Sequence, residues 1–142
     1  MPESLPTLAD INVHNSLDER SAAEHFFDKD LLQAEALFRE NFLYYQEDLM
    51  WMGPRAFCFY VDAAIAYLLN PAASGDSDAI HCFCGVVEFQ LENHRAAIVS
   101  ANGRLHAAVR VILDDFTRYD CDPQIYGDLA SRYERLLTQL AG

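Results

Sequence analysis

The stretch Gly53–Pro71, GPRAFCFYVDAAIAYLLNP, reads as one helix with both ends marked. Proline is tolerated in the first helical turn, where its missing donor would have no partner anyway, so Gly53-Pro54 is a start. Phe57, Val61, Ala64, Ile65 and Leu68 then recur at three- and four-residue spacing as one apolar stripe. Asn70-Pro71 ends it, because proline disfavours helical backbone at the residue before it.

The same signals recur on both sides. Upstream, Asp30 is placed to cap a helix with Gln33 as its capping-box partner, and Leu31, Ala34, Leu37 and Phe38 carry the pattern to a stop at Asn41. Before that, Ser16 with Glu19 three residues on predicts a short amphipathic helix through Phe26 or Phe27. Residues 1–15, with Pro2 and Pro6 and no sustained period, read as an irregular N-terminal arm lying against the body.

Downstream, Pro71 to Asp78 is a small polar loop, too short to be a domain linker. Ser77 or Asp78 can cap the next helix, in which Ile80, Phe83, Val87 and Leu91 recur. Cys82-Phe83 and Val86-Val87 also suit a strand, so 78–92 is open between the two. Leu105, Val109, Ile112 and Phe116 define a helix to about Tyr119. Asp122-Pro123 opens a last helix carrying Ile125, Leu129, Tyr133, Leu136, Leu137 and Leu140. The sum is an all-α single domain over residues 1–142, of five to six helices. No fixed-period repeat is present, which excludes a solenoid.

Composition narrows the function classes. A chain of 142 residues that is 51% apolar can bury its own core and needs no metal or disulfide to fold. Ten Lys and Arg against 22 Asp and Glu leave a formal charge of −12, which repels phosphates and anionic lipid and attracts basic surfaces. Direct nucleic-acid binding is therefore not expected. The first twenty residues carry acids and two prolines where a secretion signal needs a basic start and an apolar run. The longest apolar run, Ala63 to Leu69, falls far below the roughly twenty residues that span a bilayer. Cys58, Cys82, Cys84 and Cys121 lack regular spacing and read as reduced thiols. The expectation is a soluble, cytoplasmic protein without membrane contact.

No familiar catalytic constellation appears. The chain lacks a glycine-rich phosphate loop, a Gly-x-Ser-x-Gly elbow, a His-Glu-x-x-His pair and any Glu followed three residues later by His. The best metal candidate is His81, Cys84 and Glu88, which share one side of a helix at i, i+3 and i+7. Against it, no second Cys/His cluster exists and Cys is commonly a core residue. The paired acids, such as Glu47-Asp48 and Asp114-Asp115, point about 100° apart on a helix and read as solvated faces. His14, His25, His94 and His106 are scattered. No catalytic residue and no cofactor is implied.

One segment invites a binding reading. Tyr44, Tyr45 and Trp51 surround Glu47 and Asp48 in the turn or short helix before Gly53-Pro54. Tyr and Trp combine a large apolar body with a polar tip and are enriched in interaction hot spots, and acids beside them suit a basic partner. Trp51 and Met52 equally suit a gap between helices, so core and interface stay open there.

The segment LFRENFLYYQEDLMWMGPRAFCFYVDAAIAYLL, Leu37 to Leu69, resembles the central part of small acidic helical bacterial proteins. Some proteins of that kind are immunity-type partners that neutralise toxins exchanged between cells. The resemblance covers about a quarter of the chain and contains no catalytic motif, so it carries no functional residue over. It implies a non-enzymatic protein that binds a toxin-like partner with a basic surface. The alternatives are a small metal-dependent enzyme or metal-binding domain built on His81, Cys84 and Glu88, and a self-associating helical module, a homodimer.

Overall fold

The computed structural model describes residues 4–141. Among these residues eight α-helices run in order: α1 (Leu8–Ile11), α2 (Leu17–Phe26), α3 (Leu31–Trp51), α4 (Pro54–Leu68), α5 (Ser77–His94), α6 (Asn102–Asp114), α7 (Pro123–Tyr126) and α8 (Leu129–Ala141). Short 3₁₀ turns at Pro71–Ala73, Val99–Ala101 and Phe116–Tyr119 link several of them, and no strand occurs among the described residues. The all-α expectation stands. The count of five to six does not, and the two added helices have local causes.

The arm expected to be irregular contains α1, a four-residue helix closed by a capping box in which Thr7 and Asp10 bond each other's backbone N–H. Four residues are too few for apolar periodicity to show. At the other end, Asp122 caps only α7, which Gly127 terminates at φ +70, and the chain restarts as α8. One expected final helix is therefore two. Similarly, α6 stops at Asp114, and Phe116 to Tyr119 form a tighter turn. Segment 78–92 is helix throughout, capped by Asp76 rather than by Ser77 or Asp78.

Other end signals hold. Ser16 with Glu19 and Asp30 with Gln33 form reciprocal capping boxes at the starts of α2 and α3. Asn41 is a break inside α3, where the backbone turns to φ −163, ψ 85, and its Oδ1 accepts from Tyr44 N at 3.1 Å. The side chain replaces the helical acceptor that the kink removes.

α3 packs against α2, α4 and α5, while α6 packs against α8, and α8 also meets α5. Phe26, Phe38, Phe57, Tyr60, Phe83, Tyr119 and Tyr133 fill the core between them. The last carbonyls of a helix have no intrahelical donor, and buried tyrosines supply two of them here. The Tyr60 hydroxyl lies 2.7 Å from Phe26 O at the end of α2, and Tyr119 donates to Leu68 O at the end of α4, also at 2.7 Å. Arg118 adds donors to Leu68 O and Asn70 O, placing a cation where the α4 dipole is negative.

The α3–α4 corner carries the arm. Gly53 N donates to Ile11 O at 3.1 Å, and a Cβ on Gly53 would stand 2.2 Å from Asp10 O. Only glycine permits that approach. Arg55 on α4 closes the contact with an ion pair to Asp10 at 2.8 Å. No helix among the described residues is long and apolar enough to cross a membrane.

Candidate functional site

The second half of α3 is amphipathic in an uneven way. Phe42 and Leu49 face the core, with Tyr45 partly buried beside them. Tyr44, Glu47 and Trp51, at i, i+3 and i+7, share the solvent side. Tyr44 is 53% exposed and Trp51 42%. Trp51 rests edge-on against Phe89 of α5, with ring centroids 5.1 Å apart. Its neighbour Met52 turns the other way and is buried, so the pair that sequence left open divides between surface and core.

Asp48 is not part of the exposed stripe. It is 6% exposed and points at α2, where Ser21 and His25 lie one helical turn apart. His25 Nδ1 stands 2.6 Å from Asp48 Oδ2, and Ser21 Oγ donates to Oδ1 at 3.4 Å. On the far side of the imidazole, the Tyr44 hydroxyl lies 3.5 Å from Nε2. Tyr44 and Tyr45 both meet the His25 ring in tilted or edge-on contacts with centroids 5.4 Å away, and meet each other at 4.9 Å. The group is a chain of contacts from a buried carboxylate through an imidazole to an exposed phenol.

Burial pushes the Asp48 carboxyl above its ordinary value, and the hydrogen bonds from His25 and Ser21 offset only part of that. Loss of solvent also raises the Tyr45 phenol, with the Glu40 charge nearby acting in the same direction. Oriented by a carboxylate at Nδ1, an imidazole can serve as a base at Nε2. Here that nitrogen faces the Tyr44 hydroxyl, between two tyrosine rings. The cluster acts as a clamp on Tyr44.

Of the five residues that sequence offered to a partner, Tyr44 and Glu47 lie at the surface, Trp51, left open between core and interface, is exposed, Tyr45 is partly buried against the core, and Asp48 is buried and supports the edge from inside. Sequence reasoning missed His25 and Ser21. Their signal is faint: both lie beside the apolar residues Ala22 and Phe26 of α2, and 23 residues separate His25 from Asp48. Only the docking of α2 on α3 brings them together.

The three residues considered for a metal have other engagements. The His81 ring lies over Tyr126 with centroids 5.0 Å apart, and Cys84 is fully buried with its thiol pushed up to about 12. Glu88 accepts from Nε and Nη2 of Arg132 on α8. Among the described residues, no group of three His, Cys, Asp or Glu side chains gathers to hold a metal. Burial also raises the Cys82 and Cys121 thiols to about 11, so neither is a ready nucleophile.

No family model, curated protein sequence or solved structure matches the chain.

Proposed function

We propose that the chain acts by binding another protein that presents a basic surface, through the edge formed by Tyr44, Glu47 and Trp51. In its most concrete form it is an immunity-type inhibitor that neutralises a toxin by direct contact and catalyses nothing itself. The observation that supports this most is the exposure of two aromatic side chains on either side of an acid, one of them in contact with a half-buried imidazole that a buried carboxylate orients. A tyrosine already confined by His25 and Tyr45 loses little freedom on contact, which favours affinity. The net charge of −12 steers a basic partner toward the molecule and raises the association rate more than the affinity.

The test is calorimetric titration of a partner captured on the immobilised chain and identified by mass, with the wild type and four variants. Trp51→Ala and Tyr44→Ala are each expected to weaken binding by about 2 kcal/mol, roughly thirtyfold. Glu47→Lys is expected to slow association and flatten its dependence on salt between about 50 and about 300 mM. Asp48→Asn acts only through His25 and Tyr44 and is expected to have a smaller effect. Affinity indifferent to salt and to all three substitutions on the edge would dispose of the proposal.

A further inference from the structure

A cleft of about 500 Å³ opens between the start of α4 and the segment that leads into α6, and it shares no residue with the edge of α3. One wall is Arg55, Cys58 and Phe59 of α4, at i, i+3 and i+4, and the other includes Ser100 and Arg104. Arg55 and Arg104 are its charged groups, and among the described residues that line it none is acidic. In a chain with 22 acids to ten bases, that is a local excess of positive charge. We propose that this cleft binds a small organic dianion, two carboxylates joined by a short apolar chain, with one acidic group on Arg55, the other on Arg104, and the chain against Phe59 and Ala97.

The geometry of Arg104 carries the argument. Its Nε donates to Asp62 Oδ1 at 2.8 Å, Nη1 to Ser100 O at 3.3 Å and Nη2 to Cys58 O at 2.7 Å. A guanidinium has five N–H groups, so these three bonds fix its position and leave two donors for a ligand. Two of the three acceptors are neutral carbonyls of cleft-lining residues, which orient the cation without cancelling its charge. Arg104 thus meets α4 at the turn from Cys58 to Asp62, three to seven residues beyond Arg55, which is roughly 5–10 Å along the helix axis. A single carboxylate engages one cation across that distance, whereas a dianion with a short spacer engages both.

The Arg55 end gains from the helix itself. α4 begins at Pro54 after Gly53 with no side-chain cap, so no side chain offsets the positive end of its dipole. Asp10 takes one donor of Arg55 at 2.8 Å and Asp62 one of Arg104, but neither acid lies on the cleft wall. The two arginine side chains are 55% and 44% exposed, and ion pairs so open to water are weak enough for a second carboxylate to share the cation. Phe59, 8% exposed, and Ala97 give the spacer an apolar surface, and the volume falls within the roughly 300–1,000 Å³ of small-molecule sites.

The test is titration of the full chain with glutarate to about 20 mM at an ionic strength of about 0.1 M, followed by nitrogen–proton correlation spectra. The amides of Arg55, Ala56 and Ser100 and the Arg104 Nε–H should shift together and saturate, with a dissociation constant on the order of 1 mM for so small a ligand. Butyrate and inorganic phosphate, each reaching one cation, should bind at least about tenfold more weakly. Arg55→Gln and Arg104→Gln should each lower glutarate affinity by about tenfold, while Asp62→Asn, which returns a donor of Arg104 to the cleft, should raise it by about threefold. Arg55→Gln and Asp62→Asn keep the test decisive where Arg104→Gln loosens the contact of α6 with α4. Absence of saturable shifts would overturn the proposal. So would butyrate or phosphate binding as tightly as glutarate, or a glutarate affinity indifferent to both Arg55→Gln and Asp62→Asn, the result expected of arginines that serve the fold alone.

Discussion

Glu19 and Asp48 are the two carboxylates that the described fold buries, at 5% and 6% exposure, and their surroundings differ in kind. Glu19 accepts three backbone N–H groups, from Val13 at 3.2 Å, His14 at 3.0 Å and Ser16 at 3.1 Å, with the His14 ring at 3.3 Å. Asp48 has two side-chain partners, His25 and Ser21. Burial raises both carboxyl groups. At Glu19 the bonds from Ser16 and His14 outweigh it and hold the group below its ordinary value, whereas at Asp48 burial prevails. One acid is held by backbone donors and belongs to the scaffold that joins α1 to α2, while the other is held by side chains alone and ties the exposed aromatic edge of α3 to α2.

The largest expected effect separates the two acids by substitution. Glu19→Ala strands three N–H groups and should cost about 3 kcal/mol in urea unfolding. Asp48→Ala leaves His25 and Ser21 without an acceptor and should cost about 2 kcal/mol, while Asp48→Asn, whose amide oxygen still accepts from His25, should cost less than about 0.5 kcal/mol. Equal costs for Glu19→Ala and Asp48→Asn would erase the distinction.

Acid titration sharpens the contrast, because the signs are opposite. A lowered folded value means that the contribution of Glu19 is fully present above the ordinary 4.5 and is lost as pH falls through the folded value. Asp48, with a raised folded value, contributes stability below the ordinary 3.8 that is lost as pH rises through its folded value. Urea midpoints measured from about pH 3 to about pH 7 should therefore show a shallower acid loss in Glu19→Gln and a steeper one in Asp48→Asn. Parallel curves for both variants would contradict the assignment.

The smallest effect is expected at the ion pair between Glu88 and Arg132, whose side chains are 36% and 26% exposed. Glu88→Gln should change the unfolding free energy by about 0.5 kcal/mol, since a partly solvated pair gains little over its hydrated parts. A cost matching that of Glu19→Ala would show that geometry, and not burial, ranks these acids.

What was legible in the sequence follows the range of the interactions. Ser16 with Glu19, Asp30 with Gln33, and Gly53-Pro54 act within three or four residues, and each marks its helix start correctly. The helices α1 and α7 are a single turn each and give no period to read. Asp48 was misplaced because Gln46 and Glu47 beside it suggest a polar surface. The stripe of Phe42, Tyr45 and Leu49 was the available clue that Asp48 lies next to the inward face. His25 had no such clue, since its role depends on which face of α2 meets α3.

The glycine at the α3–α4 corner also sets an order of events during synthesis. A four-residue helix is far shorter than the roughly twelve residues at which an isolated helix becomes even marginal, so α1 cannot persist by itself. Its anchors, the Gly53 amide and the Arg55 guanidinium, lie more than forty residues further along the chain. Because α1 leaves the ribosome ahead of its anchors, it must wait, undocked, until the corner has emerged.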